Sequence, residues 1–290
     1  MSAATQLLAG ALLALAAGLV LAAIERAWAM GTSRRAGPLS PAGVAIEARS
    51  GPPRNVLVTA LVLATACLVA ALGLRAVEVG HAPWSNLYEF SQAFAAGLLL
   101  SYLLLARRHA IAGLAPVVGL LAGALVAYAL LLPATALPLV PALQAPLLLT
   151  VHVGAAMLAY AISGVAFVAA LGELAQRRSG DRIAQLPPAT ACRNAAHRSV
   201  LLAFPILTIA IVLGSVWANL AWRSYWNNDP KELAAAATWL VYAAYLHVAG
   251  RPDRLGGLAP WLLVAGFAAV LFTWLGAGLL FVGQHSYAGA

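Results

Sequence analysis

Ser199-Val-Leu-Leu-Ala-Phe-Pro-Ile-Leu-Thr-Ile-Ala-Ile-Val-Leu-Gly-Ser-Val-Trp217-Ala-Asn219 is long enough to cross a bilayer and carries no charged side chain. A membrane helix needs roughly 20 mostly apolar residues. Seven further runs read the same way, at about 4–24, 55–75, 87–106, 110–132, 146–171, 233–250 and 258–282. Their apolar residues are continuous, not alternating. Helices and closed barrels are the folds that satisfy their own backbone in lipid, and continuous runs select helices. The expectation is an all-α integral membrane protein with about eight transmembrane helices, forming one domain over 1–290.

Composition agrees. The chain is 63% hydrophobic and 9% charged, where a soluble domain carries about a quarter charged residues. The net charge of +8 does not point to nucleic acid, because the basic residues sit in short gaps between apolar runs. Cys67 falls inside an apolar run and Cys192 in a basic gap, so a disulfide is not expected, and no C-x-x-C-H motif is present. The first run lacks a basic leader and reads as a retained helix.

Arginine placement predicts orientation. The first, third, fifth and seventh connections hold Arg26, Arg34, Arg35, Arg49, Arg54, Arg107, Arg108, Arg177, Arg178, Arg182, Arg193, Arg198, Arg251 and Arg254. The even connections hold Arg75, Arg223 and Lys231. Odd connections are therefore expected in the cytoplasm and both termini on the outer side. The polar segment 176–198 reads as a long cytoplasmic connection, and the proline-rich 133–145 as an outer loop.

His109 and His197 are expected to be solvated on the cytoplasmic side. His81, His152 and His285 fall at outer ends of spans. On the same side lies Trp217-Ala-Asn-Leu-Ala-Trp222-Arg-Ser-Tyr225-Trp226-Asn-Asn-Asp229-Pro-Lys231-Glu232. Tryptophan and tyrosine form ordinary belts at membrane surfaces, which is one reading of this loop. The other is a platform for a flat, apolar, anionic ligand: aromatic faces to stack on it, Arg223 or Lys231 to meet carboxylates, and two imidazoles to hold a metal at its centre. Haem meets those three demands. His247 lies inside the seventh run, about 14 residues from its outer end and so roughly 20 Å deep at ~1.5 Å per residue. It is either a functional intramembrane residue or a histidine bonded to a neighbouring helix. Asn86 and Glu89 have capping-box spacing at the start of the third run, and Asp229 before Pro230 reads as a helix cap.

The run from Gly214 to His247, with Trp217, Trp222, Trp226, Asp229-Pro-Lys-Glu232 and Trp239 in order, resembles the tryptophan-rich "WWD" signature of cytochrome c assembly proteins. Gly283-Gln-His285-Ser-Tyr287 and Pro83-Trp-Ser-Asn86-Leu-Tyr88-Glu89 resemble its System II (CcsA/ResC) branch. The signature has glycine where Arg223 stands and a second paired tryptophan where Asn228 stands. The resemblance implies a subunit of a cytochrome c synthase (haem lyase), in the bacterial cytoplasmic membrane with its active face periplasmic. It would handle haem b and present it to an apocytochrome c on the outer face. His152 and His285 would be axial ligands of the haem iron beside Trp217, Trp222, Trp226 and Asp229. His247 would be one ligand of a second, intramembrane haem, completed by a CcsB/ResB-type subunit. Alternative readings are a HemX-like or System I-like haem handler, and a transporter unrelated to haem. No catalytic residue is assigned, and membrane lipid, not nucleic acid, is the expected surrounding.

Overall fold

The computed structural model describes residues 2–35, 53–135, 146–251 and 256–285. Arg49, Arg254, Tyr287 and most of the proline-rich loop at 133–145 lie outside the described residues. Eight long helices follow one another: α1 (Ala3–Arg35), α2 (Pro53–Val79), α3 (Leu87–Ala106), α4 (Ala115–Leu130), α5 (Pro146–Ser179), α6 (Ala189–Trp222), α7 (Pro230–Ala249) and α8 (Ala259–Leu271). A 3-10 turn, Ala112–Leu114, leads into α4. A π turn, Phe272–Gly276, carries α8 on into a last helical segment, Ala277–Leu280. Seven of these stretches are long and apolar enough to cross a membrane, and α7, with Lys231 and Glu232 in its first turn, is not one of the seven.

α5 is the central helix. Two thirds of its most apolar window (67%) is buried, against 28% for α1 and α6. Many of its inward positions are small, namely Ala159, Ala161, Ser163, Gly164, Ala166, Ala169, Ala170 and Gly172, interspersed with Met157, Tyr160, Val165 and Val168. In lipid the hydrophobic effect does not drive helices together, so close backbone approach and dispersion must do so. A Cβ at Gly164 would meet Leu98 of α3 at 3.0 Å and Phe267 of α8 at 3.3 Å. A Cβ at Gly172 would meet Leu114 at 2.9 Å and the Cys192 sulfur at 3.0 Å. Phe167 stacks on Phe267 (4.7 Å, 19°), and Phe94 meets Phe267 and Trp274 edge-on.

Two expectations need correction. The segment 176–198 is not one long connection: α5 runs on to Ser179 and α6 begins at Ala189. Polar side chains hold these extensions together. Glu173 is buried and accepts from Arg177 (2.5 Å) and Arg193 (2.8 Å). The buried Gln176 amide donates to the carbonyls of Ile183, Leu186 and Pro187, and the Asp181 carboxylate accepts from the Ala189 amide. As a result His197 is not in a loop but within α6, half-buried, with Nδ1 3.4 Å from the Tyr245 hydroxyl.

Arg75 is likewise not a loop residue. It lies within α2, 1% exposed, and pairs with the fully buried Glu89 at 2.9 Å. Asn86 caps α3 through the Glu89 amide (2.9 Å), as its spacing predicts. The Glu89 carboxylate does not close a capping box on Asn86. It accepts from the Ser85 amide and hydroxyl (2.9 and 2.8 Å), because Arg75 draws its other oxygen inward.

Candidate functional site: an aromatic cavity walled by two histidines

The start of α5, the end of α6, the start of α7 and the residues after α8 meet at one end of the bundle, beside the start of α3. They enclose a space of about 1200 Å³ including its open mouth. Its lining is mainly apolar. Trp84 and Phe90 come from the α3 side, Trp217 from α6 and Trp226 from the loop, with Tyr160, Thr273 and Trp274 also on its wall. The π turn places Thr273 and Trp274 there, and π turns are frequent at functional sites. Thr273 is bonded across to Thr238 of α7 (3.0 Å).

His152 and His285 both line this space. His152 donates from Nδ1 to the Ala210 carbonyl (2.8 Å), since a carbonyl can only accept. Its ring lies flat against the α6 backbone at Gly214, where a Cβ would come within 2.6 Å of it. His285 donates from Nδ1 to Asp229 (2.7 Å). Both rings are therefore fixed in the tautomer that places the lone pair on Nε2. Trp217, 2% exposed, touches both: parallel to His152 (6.2 Å, 11°) and tilted to His285 (5.7 Å, 47°). Trp222 does not line the cavity. It packs edge-on behind Trp217 (4.7 Å) and His285 (4.9 Å).

Asp229 is 5% exposed and has two tasks. It caps α7 in a capping box with Glu232, ahead of Pro230. The same carboxylate accepts from His285 and from the Gln284 amide (2.6 Å). Burial pushes its pKa up, but the His285 bond and charge, with the Lys231 and Gln284 amides, outweigh that and hold it down at about 2. Gly283 packs against this carboxylate so closely that a Cβ there would clash with it and with Pro230.

The remaining sequence candidates separate. Lys231 lines the cavity, whereas Arg223 is exposed and ends α6 in the left-handed region, φ 62°. His81 is half-buried and bonds the Ala82 carbonyl outside the cavity lining. His247 is exposed in the last turn of α7, beside Arg251, at the opposite end of the bundle. Reasoning from sequence passed over Gly214, Tyr160 and Thr273. A glycine beside the signature tryptophan was a usable signal for the first.

These features define a class: a polytopic helical membrane protein whose cavity, at one end of the bundle, is aromatic and flanked by two tautomer-locked imidazoles. The profile of the Cytochrome C assembly protein family matches residues 84–285, and the chain belongs to that family. It is 34% identical to the cytochrome c biogenesis protein CcsA of Gloeothece citriformis, over 78% of this chain and 85% of the relative. It is also 34% identical to the CcsA proteins of Synechococcus elongatus (84% and 90% covered) and Guillardia theta (78% and 83% covered). It is a membrane protein of cytochrome c biogenesis with multiple transmembrane helices.

Proposed function

We propose that the cavity receives haem b and presents it for covalent attachment to an apocytochrome c, as one subunit of a cytochrome c synthase. The observation that carries this is the pair of imidazoles, each held at Nδ1 by an acceptor and each on the wall of one aromatic cavity. Among the described residues no three His, Cys, Asp or Glu side chains gather in metal-binding reach. A bare metal ion would need such a cluster, whereas a macrocycle brings four nitrogens of its own and asks the protein for axial ligands. His152 and His285 would supply them. Lys231 would meet a carboxylate, and the lining indoles would cover the apolar faces. Bound haem supplies the vinyl groups to which the two apocytochrome thiols add. Asp229 keeps the proton on His285 Nδ1, Gly214 leaves room for His152, and the apolar lining keeps water from the faces of the ring.

α7 supports a partner surface. Leu233, Ala237, Leu240, Ala244 and His247 are exposed at successive turns and form one stripe along it. A CcsB/ResB-type membrane subunit packed on this stripe would cover α7 as the eighth span and bring a second ligand to His247. Arginine asymmetry puts the cavity on the outer, periplasmic side of the bacterial cytoplasmic membrane, with both termini outside. A C-terminal reporter active only in the cytoplasm would reverse that orientation.

The visible absorption spectrum of the protein purified in mild detergent with its partner tests the reading. A Soret band with sharp reduced α and β bands is expected. In His152→Gly it should weaken and recover with added imidazole. A haem-free protein after haem-replete expression, or a spectrum indifferent to His152→Gly and His285→Gly, overturns it.

A further inference from the structure

The loop between α6 and α7 is bounded by two residues in the left-handed region, Arg223 (φ 62°) and Asn228 (φ 54°). Its main chain is tied at several points: the Ser215 hydroxyl donates to the Tyr225 carbonyl (2.9 Å), the Ser224 hydroxyl to the Trp226 carbonyl (2.8 Å), and the Asn227 amide N–H to the Glu232 carboxylate (2.8 Å). Trp226 lines the cavity yet is 42% exposed, so it stands at the rim. Its indole N–H donates to the Asn228 side-chain oxygen at 2.9 Å. Indole nitrogen is a donor only, which fixes the orientation of the Asn228 amide. Asparagine also tolerates the left-handed region better than other side chains with a Cβ.

From this geometry we infer that Asn228 is a positioning residue: it tethers the Trp226 indole at the rim of the cavity and thereby sets how long a flat aromatic ligand stays there. This inference rests on the haem reading of the cavity. Position 228 departs from the signature, where a second tryptophan stands. Here the side chain does not stack on the ligand. It holds a rim indole that can.

An exposed tryptophan at a cavity mouth is free to swing about χ1 and χ2, and ordering it on binding has an entropic cost. A hydrogen bond from its edge to a residue two positions on holds the ring before ligand arrives. The left-handed turn at 228 brings the Asn228 side-chain oxygen back to the Trp226 indole N–H, so the bond forms between the two side chains.

The test uses the full chain in mild detergent, loaded with haemin, with transfer to excess apomyoglobin as the release assay. Asn228→Gly keeps the left-handed turn and deletes the acceptor, so the fold is spared. Its release should be about two- to tenfold faster, the factor one net hydrogen bond is worth. The Soret position should not move, because the axial histidines are untouched. Asn228→Asp keeps an acceptor oxygen and should release at the unmodified rate. Trp226→Phe removes the donor, and adding Asn228→Gly to it should bring no further acceleration. An unchanged rate in Asn228→Gly, or an equal effect of Asn228→Gly with and without Trp226, overturns the inference. Hydrogen exchange at the Trp226 indole N–H, assigned through Trp226→Phe, gives a haem-independent arm. It should quicken in Asn228→Gly, and unchanged exchange refutes the tether. A chain that takes up no haemin overturns the haem reading and the residence claim with it, while the exchange result still decides whether Asn228 holds Trp226.

Discussion

Asp229 and His285 are joined by a 2.7 Å hydrogen bond through a carboxylate that also caps α7. One side chain therefore does two things, capping a helix and orienting an imidazole.

Asp229→Asn separates the two tasks. Asparagine is as good an N-cap as aspartate, so α7 should keep its helicity by circular dichroism. The amide is neutral and no longer secures the His285 tautomer. Losing a residue that orients a ligand typically costs about 10–100-fold in affinity, and haemin titration should show a loss of that order.

The same carboxylate has a pH signature. Its folded pKa, about 2, lies below the ordinary aspartate value of 3.8. Its contribution to stability is therefore fully present above the unfolded value and is lost as pH falls through the folded one. Thermal unfolding in detergent should show a stability loss between pH 4 and 2 that Asp229→Asn lacks.

Gly214→Ala should act on His152 alone. The added Cβ meets the imidazole at 2.6 Å, and overpacking of this kind costs about 1–3 kcal/mol. The gain in helix propensity offsets up to about 1 kcal/mol of that. The spectrum should lose the His152 ligand while the protein stays folded. Gly278→Ala, with nothing within 4 Å of the new Cβ, is the matched control.

Arg223→Gly should stabilise the protein. Arg223 holds φ 62° at the end of α6, a conformation glycine adopts without steric cost, worth about 1 kcal/mol. Thermal melting should rise, with the haem spectrum unchanged, since Arg223 does not line the cavity.

Glu89→Ala removes the buried partner of Arg75, itself 1% exposed, and leaves it the exposed Glu78 at 3.2 Å. Breaking such a pair costs about 3–5 kcal/mol. The double change Arg75→Met with Glu89→Leu should recover much of that in a denaturation series, because no charge is then left buried.

The apolar runs were legible because lipid imposes length and hydrophobicity on a span; α3, at Leu87–Ala106, has the bounds expected. The ends of α5 and α6 were not. Glu173, Gln176 and Arg193 lie beyond the apolar runs in a chain where polar means outside lipid, yet Glu173 pairs with Arg193, Gln176 holds the carbonyls of the turn, and the helices continue through all three. Arg75 was misplaced for a related reason: its partner Glu89 is on the next helix, and hydropathy is blind to pairs. In the cavity the aromatic and histidine residues were visible by type and order. Gly214 and the Asn228 tether were not, since one is defined by the space it leaves and the other by a backbone angle.

The cavity draws its wall from α3, α5, α6, α7 and the residues after α8. Because those segments emerge in that order during synthesis, the wall stays incomplete until the residues after α8 are made. His152 is in place long before its counterpart, since His285 follows the last helical segment, Ala277–Leu280. The site thus reports on completion of the whole bundle: a chain arrested before its final helix holds one imidazole, an unfilled Asp229 and no competent seat.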